Sequence, residues 1–368
     1  MKEVLIDARA LQGPSALRGI GRYAAGLLGG LSGEGFEYSV LVDAELPEPR
    51  LPKAVSRVYE VRRRSHGRLA GYEDTVALRD DLRRIRPGLF HALTLTLPGS
   101  APCPVAVTVH DLIPWAFGGW RMAGERFRFR AAHRLLPRAE RIFAVSRATA
   151  ADLARLVKVD PARVTVVYEG LDAPFHPRPA AAERVAARWG QDRPYYLFVG
   201  ALDVRKDPRG LLRAWAAARE AGPDADLLVA GDPGRQAPSQ MGGARLLGHV
   251  TDDELAELLS AARCLLFPSL YEGFGLPVLE AMGCGCPVAA YRNSSLPEVA
   301  GSAATLVGNR DPIALGRAAA ELGGEGAGRR KAIAAGRKQA AKFSWRKTAR
   351  ETIAGYRSLL EKPRTELT

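Results

Sequence analysis

Cysteine is scarce, with four residues in a chain of 368. That excludes a disulfide framework and points to a reducing compartment. Long apolar runs are also missing. The uncharged stretch 89–110 carries Pro98, Pro102 and Pro104 and is therefore no membrane helix. The first apolar patch, Val4 to Ile6, is cut by Asp7 and Arg9, too short for a signal-peptide core. Glycine (38) and proline (25) follow no period, which excludes collagen-like and low-complexity repeats. Aromatic residues are only 7%, and the basic residues form no block, so a nucleic-acid-binding arm is excluded. A cytoplasmic protein without a nucleic-acid partner is expected.

What is present is an ordinary globular mixture, 47% hydrophobic and 25% charged. Net charge is +13, carried mostly by arginine. Such an excess suits a phosphorylated ligand or an anionic membrane surface. The length suggests two domains. Short apolar runs such as Val105–Val109, Tyr195–Val199, Asp226–Ala230 and Cys264–Phe267 alternate with longer amphipathic stretches. That alternation predicts α/β domains with parallel sheets covered on both faces. A break between Glu169 and Arg193, crowded by Pro174, Pro177 and Pro179, separates two halves of about six predicted strands each. The expected domains are 1–178 and 179–345, two doubly wound units facing across a cleft. Ligands of such sheets meet the loops at the carboxyl ends of strands.

The most specific stretch is Phe267-Pro-Ser-Leu-Tyr-Glu-Gly-Phe-Gly-Leu-Pro-Val-Leu-Glu-Ala-Met282. It follows a predicted strand. Gly273 and Gly275 allow close backbone approach to a ligand, Pro277 suits a first helical turn, and free amides at that helix start suit a phosphate. Glu280, one turn in, would be repelled by phosphate and fits a neutral diol such as a ribose. Glu272 precedes the glycines and faces the other end of such a ligand.

Three weaker features follow other strands. Arg205 and Lys206 could neutralise a diphosphate, one as a planar fork and the other as a point charge, although a solvated loop would carry the same residues. Arg18-Gly-Ile-Gly-Arg-Tyr23 opens a helix, but Ala24 stands where the dinucleotide fingerprint needs glycine. His110 ends a buried strand, where histidine serves a sugar hydroxyl, catalysis or plain structural bonding. Cys284 and Cys286 lack a second pair and predict no zinc site. Asp224-Ala-Asp226 precedes a strand and is no metal motif. The arginines between 121 and 147, with Trp120, Phe127 and Phe129, could meet a membrane, although a solvated helix face explains them too.

Together these motifs resemble the retaining GT-B glycosyltransferases of family 4, over nearly the whole chain. The strongest element is E-x7-E, here Glu272 and Glu280. Supporting it are Gly-Ile-Gly-Arg-Tyr, Val-His-Asp-Leu, Arg205-Lys206 and Gly248-His-Val-Thr-Asp-Asp-Glu-Leu255. The resemblance implies an acceptor-side N-terminal domain, a nucleotide-sugar-binding C-terminal domain, and a last helix, 346–368, returning to the first. It further implies that Glu280 holds the ribose and that Glu272 with the amides of Gly273, Phe274, Gly275 and Leu276 meets the donor sugar. Arg205 and Lys206 would hold the diphosphate with the Gly19–Gly21 turn, Val250 would lie by the base, and His110 would sit beside the transferred sugar. Glu272 and His110 become the candidate catalytic residues. No metal and no separate cofactor are expected, because two cations and helix-end amides can stabilise a leaving diphosphate.

The expected activity is transfer of a hexose, with a lean towards mannose or rhamnose, from a UDP- or GDP-sugar to a hydroxyl. The acceptor would be a glycan, a lipid-linked glycan or a small molecule, and peripheral contact with an anionic membrane fits the charge. A nucleotide-sugar 2-epimerase on the same architecture and a non-catalytic nucleotide-sugar-binding protein are the alternatives.

Overall fold

The computed structural model describes residues 3–13, 16, 19–62, 70–117, 124, 126, 129–222, 224–234 and 241–361, with the backbone alone for 70–72. The chain forms two compact units, Met1–Gly170 with Ser344–Thr368, and Leu171–Phe343. Pro174, Pro177 and Pro179 lie at the start of the second.

The first unit is built on β1 (Val4–Asp7), β2 (Tyr38–Asp43), β3 (Val55–Val61), β4 (Leu89–Ala92), β5 (Val105–Val109), β6 (Arg141–Ala144) and β7 (Val164–Val166). They form one parallel sheet in the order β3-β2-β1-β4-β5-β6-β7. Leu5, Leu41, Phe90, Val107 and Ile142 lie in its buried core. Its helices include α1 (Gly19–Gly33), α2 (Ala70–Ile85), α3 (Arg130–Leu135) and α4 (Arg147–Asp152). The C-terminal helix, Trp345–Leu360, belongs to this unit and lies along α1.

β3 is a seventh strand that the sequence pattern does not reveal. It is an edge strand paired only with β2, and Ser56, Arg57 and Val58 are exposed along it. An edge strand needs no continuous apolar run. In the arginine-rich stretch between 121 and 147, α3 covers Arg130–Leu135, while Trp120, Arg121, Phe127 and Arg128 lie outside the described residues.

Within the first unit a buried polar chain crosses the core. Tyr23 Oη lies 3.1 Å from Thr108 Oγ1, which lies 2.9 Å from His91 Nε2. His91 Nδ1 in turn lies 2.6 Å from Tyr356 Oη on the C-terminal helix. Burial, with a smaller push from His110, drives the His91 imidazole down to about 3, so the ring is neutral. In the unfolded chain it titrates near the ordinary 6.5. Between those values the unfolded state binds more protons, so stability falls as pH drops from about 6.5 towards 3. Each pH unit in that window costs up to ~1.4 kcal/mol. Urea titration of the first unit's unfolding should therefore show about 2 kcal/mol lost between pH 7 and 5 through this group. His91→Gln should flatten that dependence, and an equally steep profile in the variant would disprove the role.

The second unit carries β8 (Tyr195–Val199), β9 (Asp226–Ala230), β10 (Arg245–Gly248), β11 (Cys264–Phe267), β12 (Val288–Tyr291) and β13 (Thr305–Val307). They form a parallel sheet in the order β10-β9-β8-β11-β12-β13. Relabelled within the unit this is 3-2-1-4-5-6, the doubly wound dinucleotide-fold order, with its switch point between β8 and β11. Its helices are α5 (Ala181–Trp189), α6 (Pro208–Ala221), α7 (Asp252–Ala261), α8 (Leu276–Gly283), α9 (Leu296–Ala300), α10 (Pro312–Gly323) and α11 (Ala327–Ala340). Two of these are not marked by the sequence pattern: α5, which lies inside the proline-crowded break, and α11. α5 is amphipathic, burying Ala181 and Val185. α11 buries only Gly336 and Ala340, too few for an apolar stripe to show.

Candidate functional site

The switch point of the second unit gathers three of the residues picked out from sequence. After β8 the chain turns through Gly200, at φ +132°, into a 3₁₀ turn, Val204–Lys206. Asp203 caps this turn, its carboxylate accepting from the backbone amides of Arg205 (2.9 Å) and Lys206 (3.2 Å). Asp207, in the left-handed region, then caps α6 by accepting from the Gly210 amide. A Cβ on Gly200 would come within 3.3 Å of Lys206 Cε, so the glycine makes room for the lysine stem.

After β11 the second loop brings in Glu272. Lys206 Nζ donates to Glu272 Oε1 at 2.5 Å, and Ser269 Oγ donates to the same oxygen at 2.5 Å. Arg205 Nη1 stands 4.0 Å from Glu272 Oε2, and its Nη2 is bonded to Asp203 Oδ2 at 2.9 Å. Lys206 and Glu272 are both buried, and the ammonium also sits 4.5 Å from the centre of the Phe267 ring. Burial pushes the Glu272 carboxyl up. Lys206, then Arg205, and the bonds from Lys206 and Ser269 outweigh it, leaving the group below the usual carboxylate range. Burial pulls the Lys206 amine below its usual value, against the pull of Glu272. From sequence, Lys206 is expected at the diphosphate and Glu272 at the donor sugar; in the structure the two side chains form one ion pair.

Gly275, at φ +108°, starts α8, and Leu296 Cδ2 lies 2.8 Å from where its Cβ would be. Leu276 and Pro277 form the first turn. Phe274 is buried with its ring edge-on to Phe343 at 5.8 Å, and Gly273 is half-buried beside it. Glu280 lies one turn in, 1% exposed. Val250 is half-buried between Gly248, which accepts from the Gly231 amide at 2.8 Å, and Thr251, whose capping box with Glu254 starts α7.

Gly19, Gly21 and His110 belong to the first unit. Gly19 opens α1 and Gly21 is buried in its first turn, while Arg18 lies outside the described residues. His110 follows β5. Its Nε2 lies 3.1 Å from the Leu93 carbonyl and its Nδ1 3.5 Å from Glu169 Oε1. The Tyr23 ring meets it edge-on at 4.7 Å. Both ring nitrogens thus face groups of the chain itself. Sequence reasoning missed Glu169 here, and missed Ser269, Asn293, Ser294 and Ser295 around Glu272. The last three follow β12, and the strand-end rule that selected Arg205 would have flagged them. Cys264, Cys284 and Cys286 are buried, with the Cys264 and Cys284 thiols pushed by burial up to about 12. Among the described residues no cluster of three or more His, Cys, Asp or Glu side chains is placed to hold a metal.

Two parallel-sheet α/β units, of seven and six strands, are the architecture of the GT-B glycosyltransferases. The sequence matches the description Glycosyltransferase Family 4 over residues 17–175 and Glycosyl transferases group 1 over 193–324. It is 30% identical over 294 residues to O-antigen chain mannosyltransferase B of Escherichia coli, covering 76% of each chain. It is 34% identical over 259 residues to a D-inositol 3-phosphate glycosyltransferase of Salinispora tropica, 62% of this chain but only 53% of that one. In fold it resembles sucrose-phosphate synthase from Thermosynechococcus elongatus, with a TM-score of 0.79 at 22% identity over 98% and 99% of the two chains. HepE of Anabaena, solved with UDP and glucose, gives 0.75 at 17% identity over 98% and 100%. The chain belongs to glycosyltransferase family 4.

Proposed function

We propose that this glycosyltransferase moves a hexose from a UDP- or GDP-sugar to a hydroxyl of a glycan, lipid-linked or small-molecule acceptor. Transfer retains the anomeric configuration and uses no bound metal. The observation that carries the reading is the Arg205–Lys206–Glu272 group at the switch point of the second unit. Arg205 and Lys206 hold the diphosphate, helped by the amides at the start of α8. As the sugar–phosphate bond breaks, negative charge grows on the leaving diphosphate, and these two cations offset it. Glu272 lies on the sugar side, where positive charge develops on the ring. Glu280, buried a turn into α8, accepts from the ribose diol, and the backbone near Val250 lies by the base. In the first unit, His110 and the α1 start at Gly19 and Gly21 serve the same transfer.

Mannose as the sugar is supported by the relative named for mannosyl transfer, and UDP as the nucleotide by the HepE fold neighbour. Contact with anionic lipid is supported by α11. Its Arg330, Lys331, Arg337 and Lys338 are exposed, and residues 327–343 contain no acid. No described helix is long and apolar enough to cross a membrane.

The test is binding. Thermal shift against UDP-glucose, UDP-N-acetylglucosamine and GDP-mannose identifies the donor, since a ligand of the folded state raises its stability. Replacing both Arg205 and Lys206 by Ala should weaken UDP or GDP binding more than tenfold, because each charge-assisted bond contributes ~1.5–3 kcal/mol. Arg205→Ala alone should lose a good part of that without unpairing Glu272. Unchanged nucleotide affinity by calorimetry in both variants would make the turn a mere surface feature.

A further inference from the structure

Around Glu272 the hydrogen bonds close into a ring. Ser269 Oγ donates to Glu272 Oε1 at 2.5 Å. The Glu272 amide donates to Ser294 Oγ at 2.8 Å, and that hydroxyl donates to Asn293 Oδ1 at 3.0 Å. Asn293 Nδ2 then donates back to the Ser269 carbonyl at 2.8 Å. Ser295 Oγ adds bonds to the carbonyls of Glu272 (3.1 Å) and Phe274 (2.6 Å). The loop after β12 is therefore stapled to the loop that carries Glu272, on the side away from Lys206.

One member of the ring is strained. Ser294 has φ +40°, a left-handed conformation that a residue with a Cβ holds only when its surroundings force it. Glycine would fit that backbone freely. What glycine lacks is the hydroxyl, which here both accepts from the Glu272 amide and donates to Asn293. Strain kept for the sake of one oxygen, next to a buried carboxylate paired with a buried lysine, indicates that the oxygen has a task.

We propose that Asn293 and Ser294 are positioning residues that fix the Glu272 carboxylate against Lys206 and so hold it towards the donor sugar. This rests on the reading of Glu272 as the sugar-side carboxylate. Arg205 and Lys206 come from the other loop, so nucleotide binding does not depend on the ring, whereas the rate of sugar transfer does.

Ser294→Gly separates this role from a structural one. It removes the hydroxyl and relieves the strain, so the melting temperature should hold or rise. Release of UDP from UDP-glucose and of GDP from GDP-mannose is followed for the full chain with mannose oligosaccharides as acceptor, and UDP and GDP affinity by calorimetry. With the donor that turns over, kcat should fall at least tenfold in Ser294→Gly, while donor KM and affinity for the nucleoside diphosphate stay within threefold. Asn293→Ala should move the same way by a smaller factor. A kcat within twofold of the parent in either folded variant overturns the proposal. Glu272→Gln is run beside them. If it too leaves kcat intact, or if neither donor is turned over, the reading of the site falls and this inference with it. If Glu272→Gln is slow and the ring variants are not, the positioning role alone is wrong.

Discussion

Glu272→Gln is expected to lower the turnover number about 100-fold, with affinity for UDP or GDP changed by only a few-fold, in line with the ~10²–10³ lost when one preorganised electrostatic partner is removed from an active site. The amide is nearly isosteric, so the Ser269 and Lys206 donors at Oε1 still find an oxygen. What disappears is the negative charge, and it disappears where the departing diphosphate leaves the sugar electron-poor. An interaction that strengthens only as the bond breaks lowers kcat rather than raising donor KM. The variant also leaves Lys206 buried without its counter-ion, so the second unit should melt earlier. Glu280→Gln provides the contrast. Its amide still bonds a diol, so donor KM should rise modestly while kcat is largely kept. Steady-state kinetics of the two variants with the cognate donor decides the assignment. An untouched kcat in Glu272→Gln, beside an abolished one in Glu280→Gln, would reverse the roles of the two carboxylates.

In the first unit Gly26→Val should cost about 3 kcal/mol, the upper end for overpacking. A Cβ on Gly26 would lie 2.1 Å from Cε2 of Trp345. The Tyr23 ring meets the indole edge-on at 5.7 Å, and a Cβ on Gly170 would lie 2.2 Å from the Trp345 backbone nitrogen. Gly30 repeats the close approach one turn on, where a Cβ would lie 2.5 Å from the Trp345 carbonyl oxygen. Trp345→Ala alone should cost ~3–5 kcal/mol through the cavity it opens. Combined with Gly26→Val, the cost should fall short of the sum by ~1–3 kcal/mol, because the new isopropyl group enters the vacated space. Urea unfolding of the four proteins measures this coupling. Strict additivity would mean that α1 and the C-terminal helix do not pack through these residues.

The strands show how much the chain alone determines. Val105–Val109, Tyr195–Val199, Asp226–Ala230 and Cys264–Phe267 read correctly to the residue, because a strand buried on both faces of a parallel sheet is a near-continuous apolar run. β3 escaped because an edge strand is held by pairing to β2 rather than by burial. The short segments after the strands drew attention to Arg205, Lys206, Glu272 and Glu280 by residue type and spacing alone. Their partnership was not legible. Lys206 and Glu272 are 66 positions apart, and they meet because β8 and β11 are neighbours in the sheet. Asn293 and Ser294 reach Glu272 because β12 lies next to β11. Glu169 faces His110 because β6 and β7 follow β5 across the first sheet. Side-chain type, local periodicity and turn chemistry are properties of neighbouring residues, and the sequence by itself determined them. Strand order is settled by long-range packing that no local window contains, and only the tertiary structure decided which charges pair, which is buried, and which serine is held under strain to keep a carboxylate in place.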